Sequence, residues 1–313
     1  MPPKRKRRLN KPTRTQSFIF VVLLALTAAA GYLLAPTHTP SPQATLIYQP
    51  SKTQKNLIPL TPSPSPVITE YPHTPEPETT PLPPKTLTKT PQKEVKLAIV
   101  IDDMGNDVPQ TKEAMVLLPK SVTFAFLPYP PATPALAAES KATGHTILVH
   151  MPSEPLGEDA YPGPNTLKAE DDADTLRSKI AINLAPLANL AVGVNNHMGS
   201  KFTQSESGMR TLLEELDKKG YFFLDSLTIN PTATKKAGKG LSLPLLTRNI
   251  FLDHVPTEEE VSKQLARAIS YAEAHGTAIA IGHPHPATLT ILSREILNLP
   301  AHVKLVPLTA LLP

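Results

Sequence analysis

The stretch VKLAIVIDDMGND at 95–107 decides how the rest of the chain is read. Its β-branched apolar run predicts a strand at 96–101 that closes on the adjacent carboxylates Asp102 and Asp103, and a helical pattern follows at once. The same unit recurs to the C-terminus. Short apolar runs predict strands at 122–126, 146–150, 191–194, 221–224, 249–252 and 278–281, with a last one at 303–306. Amphipathic segments between them predict helices at 108–118, 134–142, 171–190, 205–219, 257–275 and 286–297. Thr257 and Glu260 form a capping box, and Gly144, Gly220 and Gly276 stand where helices end. Strands alternating with helices pair in parallel, so the fold class is α/β. About seven such strands predict a distorted or incomplete (β/α) barrel over 94–313, with an open doubly wound sheet as the alternative. Neither a GxGxxG nor a P-loop pattern is present to support a nucleotide-binding version.

Upstream the texture is different. Seven basic residues fall within 1–17, at Lys4, Arg5, Lys6, Arg7, Arg8, Lys11 and Arg14, and the apolar run 18–35 follows them. A basic flank before an apolar segment of nearly spanning length predicts a signal anchor, with a cleavable signal peptide as the competing reading. The domain is then expected outside the cytoplasmic membrane, anchored by its N-terminus, or secreted if the signal is cut. Prolines recur throughout 36–93, as in TPSPSP at 61–66, and exclude regular structure there. A tether of that composition reaches on the order of 180 Å when fully extended as polyproline II.

The net charge of +4 belongs to that leader, since residues 95–313 carry 19 basic and 23 acidic side chains. A mildly acidic domain without clustered Lys and Arg is a poor nucleic-acid binder. The chain has no cysteine, so disulfides play no part.

In parallel sheets ligands bind at the carboxyl ends of the strands, and the polar residues collect there. The strand ends read DDMG at 102–105, HMPSE at 150–154, NNHMGS at 195–200, DS at 225–226, DH at 253–254 and GHPH at 282–285. Adjacent aspartates on an extended chain point to opposite sides, which lets one bind a cation while the other handles a proton. The plainer reading makes Asp103 or Asn106 the N-cap of the next helix. His150 and His197 with one aspartate supply three ligands and leave an open position, as catalytic zinc requires, and His283 remains for proton transfer. Ser200 reads as a hydrogen-bonding loop residue, because no GxSxG elbow surrounds it.

These residues resemble the divergent polysaccharide deacetylases, relatives of the NodB-type carbohydrate esterases. The resemblance spans 95–313 and rests on AIVIDDMGND at 98–107, HMPSEP at 150–155, GVNNHMGSKFT at 193–203, FLDS at 223–226, IFLDH at 250–254 and IGHPHP at 281–286. It implies a distorted (β/α) barrel that hydrolyses an N-acetyl or similar acyl group on an envelope polysaccharide or peptidoglycan fragment. It further implies Asp102 as base, Asp103 as ligand to a divalent cation, zinc foremost, and His283 as the acid that protonates the leaving group. The family's second motif carries two histidines four residues apart, whereas this chain has His150 and Glu154. The expected ligands are therefore Asp103, His150 and His197, with Glu154 in reserve. Asp225 is expected to orient a catalytic side chain, and Glu154, Asn196, Ser200, Asp253 and His285 to meet the substrate. Two other readings stand beside this one: a catalytically degenerate glycan-binding module, motivated by Glu154, and a phosphodiesterase, for which Arg248 is an isolated candidate cation.

Overall fold

The computed structural model describes residues 93–157 and 159–313, so the apolar run 18–35 and the proline-rich segment up to 92 lie outside the described residues. Among the described residues no helix is long and apolar enough to cross a membrane.

Nine strands form one sheet: β1 Val95–Met104, β2 Thr123–Phe126, β3 Ile147–Ser153, β4 Gly193–Met198, β5 Phe222–Asp225, β6 Leu245–Thr247, β7 Ile250–Phe251, β8 Thr277–Gly282 and β9 Val303–Leu305. Their order is β6-β5-β4-β3-β2-β1-β8-β7, every pairing is parallel, and β9 adds to the start of β1. The two outer strands, β6 and β7, are consecutive in the chain and separated only by Arg248 and Asn249. That link spans about 10 Å at most, so the sheet has to curl until its edges nearly meet. The result is an incomplete barrel with no ladder between β6 and β7, as the repeat of strands and helices predicts.

Curling gives the sheet two faces and two cores. Ala98, Val100, Ala125, Leu148, Phe222, Leu224, Ile279 and Ile281 pack together on the concave face. The intervening positions, among them Ile99, Ile101, Val149, Val194, Phe223 and Ala280, pack outward with the helices. This is the period of two expected of strands buried on both sides. At the strands' amino ends the 3-10 turn Leu308–Leu311 closes the barrel: Leu308 packs into the concave core, and its N–H donates to Thr123 Oγ1 at 3.1 Å.

The helices are α1 Val108–Leu117, α2 Thr133–Ala142, α3 Ala173–Leu184, α4 Glu206–Lys218, α5 Thr234–Ala237, α6 Glu258–His275 and α7 Pro286–Glu295. Thr257 caps α6 through the Glu260 N–H, and Gly276 ends that helix at φ 87°. The helix read at 171–190 is shorter, capped by Asp172 and passing into a 3-10 turn at Ala185–Leu187, because Pro186 has no N–H to continue the ladder. Neither Asp103 nor Asn106 caps α1; that role falls to Asp107, whose Oδ1 accepts from Gln110 N at 2.8 Å. Strands β3 and β4 run three and four residues beyond their predicted ends, which carries Asn195, Asn196 and His197, like His150, on the strands themselves.

Candidate metal and acid–base site

Asp102 and Asp103 stand at the end of β1, where strict alternation would separate them. The register slips between Ile101 and Met104, and Asp103 takes a left-handed φ of 55°. Ile101 and Met104 consequently both pack outward although three residues apart, as a β-bulge permits. The bulge turns both carboxylates toward the same mouth of the barrel. His150 Nε2 lies 3.6 Å from Asp102 Oδ2 and 3.3 Å from Asp103 Oδ1.

The concave face delivers the remaining members. Leu148 faces inward, so His150, two residues on, does as well. His150 pairs in register with Asn195 of β4, and His197 follows Asn195 by two, so all three share one side. On β8, Ile279 and Ile281 lead inward to His283, and the pairing of Ile101 with Gly282 sets Asp102 and His283 level on adjacent strands.

Three atoms close into a triangle. His197 Nδ1 is 3.0 Å from Asp103 Oδ1 and 3.1 Å from His150 Nε2, and the third side is the 3.3 Å between His150 Nε2 and Asp103 Oδ1. Ligands at ~2.0–2.1 Å from one zinc ion stand about 3 Å apart, so these edges fit such an ion with an open side. Two further features suit a cation there. Two imidazole nitrogens meet at hydrogen-bond distance, and Asp103 Oδ1 is buried with no partner in hydrogen-bond geometry. A buried carboxylate oxygen left in that state is costly unless something positive meets it.

The electrostatics follow from burial and neighbours. Burial pushes the Asp102 carboxyl above its usual range, only partly opposed by His150, His283 and the Asn195 amide. Burial also opposes ionisation of Asp103, but the two imidazoles beside it outweigh that and hold it well below the usual range. For His150, burial disfavours the cation while Asp102 and Asp103 together raise it. His283 is pushed up to about 9: burial works against the imidazolium, and the carboxylates, Asp253 first, overcome it.

The other expected site residues divide by strand face. Asp253 accepts from His283 Nδ1 at 3.0 Å and Thr288 Oγ1 at 2.7 Å, so both of its oxygens are engaged in supporting His283 and the start of α7. Asp225 points outward; it accepts from Leu227 N, Thr232 Oγ1 and Thr234 Oγ1 and orients none of the cluster. Asn196 also points outward, holding Met198 O and Ser226 N. Glu154 is engaged by Lys201 Nζ at 2.9 Å and Ala169 N at 2.8 Å and is not a member of the Asp103–His150–His197 group. Ser200 Oγ accepts from Leu156 N, a loop contact as expected. His285 is exposed, its ring centroid 5.7 Å from that of His283, and it closes a looser grouping with His283 and Asp253.

Asn195 stands outside the expected site residues, yet it is completely buried at the centre of the cluster. Its position two residues before His197 on one strand was the available signal.

Comparison with known proteins agrees with the fold. The sequence pattern of the divergent polysaccharide deacetylase family matches residues 99–312. The uncharacterized protein YibQ of Escherichia coli (strain K12) is 38% identical over 219 residues, 69% of this chain and 67% of its own. An uncharacterized protein of Haemophilus influenzae is 37% identical over 217 residues, 67% of this chain and 74% of its own. The crystal structure of an uncharacterized protein from Agrobacterium tumefaciens C58 shares the fold at a TM-score of 0.65 and 24% identity, covering 71% of this chain and 91% of that one. A family match that runs from the first strand to the last turn, together with two relatives of this similarity, means that the chain belongs to the divergent polysaccharide deacetylases.

Proposed function

We propose that this chain is a hydrolase that removes N-acetyl or related acyl groups from an envelope polysaccharide, using a divalent cation held by Asp103, His150 and His197. The observation that carries the reading is the triangle of Asp103 Oδ1, His150 Nε2 and His197 Nδ1, with sides of 3.0, 3.1 and 3.3 Å, set beside a second carboxylate and a carboxylate–histidine pair. A cation bound there, with zinc the best match to the nitrogen and oxygen donors, supplies Lewis-acid polarisation of the acyl carbonyl and a more acidic water.

The chain's own groups account for the protons. Asp102, raised by burial, is a stronger base than an ordinary carboxylate and accepts the proton of the attacking water. The water oxygen bonds to the acyl carbon, and the carbon–nitrogen bond breaks. His283 starts as an imidazolium at neutral pH, with Asp253 behind it, and gives its proton to the departing nitrogen. Acetate and a free amine result, and Asp102 returns its proton to solvent as His283 recovers one.

The basic cluster and apolar run at 1–35, with the proline-rich 36–93, support an anchored domain that reaches an extracytoplasmic glycan. The test is acetate release by the full chain, loaded with zinc, from N-acetylated peptidoglycan and chitin-type oligomers, with Asp102→Asn and His283→Ala as inactive controls. Loaded protein that binds these glycans but releases no acetate would leave the binding module as the better reading.

A further inference from the structure

We propose that Asn195 is a positioning residue that locks the ligand face of His150 and the orientation of Asp102 through one side-chain amide, an inference that rests on the metal reading above. The amide is engaged at both its oxygen and its nitrogen. Its Oδ1 lies 3.0 Å from His150 Nδ1, and its Nδ2 donates to both Asp102 oxygens at 2.9 and 3.0 Å and to Ser226 Oγ at 3.2 Å.

The chemistry of the partners fixes the direction of each bond. A carboxylate only accepts, so the amide nitrogen must face Asp102 and the amide oxygen must face His150. His150 is then obliged to carry a hydrogen on Nδ1 in order to donate. In the neutral ring that leaves the lone pair on Nε2, the atom facing Asp103 Oδ1 and His197 Nδ1. Outer partners of this kind orient a ligating histidine and fix its tautomer.

The same amide spans two strands that are not neighbours. Asn195 is on β4 and Asp102 on β1, with β3 and β2 between them in the sheet. Asn195 has no solvent exposure, so neither contact competes with water. A neutral amide at this point does what no carboxylate could, because it donates to the base while accepting from the ligand.

Two substitutions separate the linked roles. Asn195→Leu removes both contacts, and zinc affinity is expected to fall about 10–100-fold. Asn195→Asp keeps an acceptor for His150 Nδ1 but sets a like charge against Asp102; zinc affinity stays within about threefold of wild type while turnover falls at least about 100-fold, the contribution of a positioned base. The readouts are zinc titration by calorimetry, acetate release, and imidazole nitrogen shifts of metal-free protein by NMR, which report the His150 tautomer. Circular dichroism of the metal-free variants separates these effects from misfolding. Wild-type protein that binds no zinc overturns the metal reading and this inference with it. Wild-type protein that binds zinc, with both folded variants matching its affinity and keeping the Nδ1–H tautomer, overturns this inference alone.

Discussion

Asp253 holds His283 at two points: the carboxylate accepts from the His283 backbone N–H at 2.5 Å and from its imidazole Nδ1 at 3.0 Å. The second contact favours the imidazolium, and the folded His283 is raised to about 9 from an ordinary 6.5. Below the unfolded value both states carry the proton, so the stabilisation is fully present there. Between that value and about 9 only the folded state keeps it, so stability declines as pH rises, by on the order of 3 kcal/mol in all. Urea midpoints of metal-free protein measured from about pH 6 to 10 should show this decline, and Asp253→Asn should flatten it. The alkaline limb of acetate release should lie no higher than about 9, because a nearby cation can only lower the value.

Glu154 and His197 compete in sequence for the third ligand position, and the contacts favour His197. His197→Ala removes one corner of the triangle, so zinc affinity measured by calorimetry should fall by more than about 100-fold, beyond the effect of losing an outer partner. Glu154→Gln loses only a half-exposed ion pair with Lys201, worth at most about 1 kcal/mol, and should bind zinc as the wild type does. The reverse ranking would assign the metal to Glu154.

The fold is legible in the strand and helix periods, and the place of the site in the polar strand ends. The side that each polar residue takes has to be counted from the apolar residues before it. Leu224 faces inward, so Asp225 faces the helices; Val194 faces outward, so Asn195 and His197 face in and Asn196 does not. Reading polarity at a strand end without its face overvalues Asp225 and Asn196 and passes over Asn195. The pairing of Asp102 with Asp103 is hidden for another reason. Alternation separates them, and only the left-handed turn at Asp103 reunites them, with Gly105 at φ 90° as the one nearby residue suited to such a path. Strand β6 escapes because three residues between Pro244 and Arg248 are too short to show a period.

Asp225 should then behave as a scaffold residue. Its carboxylate gathers Leu227 N at 2.8 Å, Thr232 Oγ1 at 2.7 Å and Thr234 Oγ1 at 2.5 Å, tying the end of β5 to the start of α5. Asp225→Ala leaves these donors without an acceptor, and urea unfolding should show a loss of about 2–3 kcal/mol. Zinc affinity of the folded variant should be unchanged, whereas a loss of metal at full stability would return Asp225 to the site.

His145 gives a pH effect of the opposite sign, well away from the triangle. Its ring stacks on Phe124 with centroids 4.1 Å apart, and Nδ1 meets Val122 O at 3.0 Å. Burial holds its pKa below the ordinary value, against the weaker pull of the Val122 carbonyl. A depressed folded value means that the stabilisation is present above the unfolded pKa of about 6.5 and is lost as pH falls below it through the folded value. Because His150 and His283 titrate in the other direction, the test is the difference between wild type and His145→Gln, a variant that keeps a donor for Val122 O but carries no charge. Near pH 7 the variant should be less stable by about 1 kcal/mol, the worth of the stacked ring pair. Toward about pH 5 that gap should close or reverse, since only the wild type has to accept a buried charge. A gap that stays constant across this range would mean that His145 takes up its proton as freely in the fold as in the open chain.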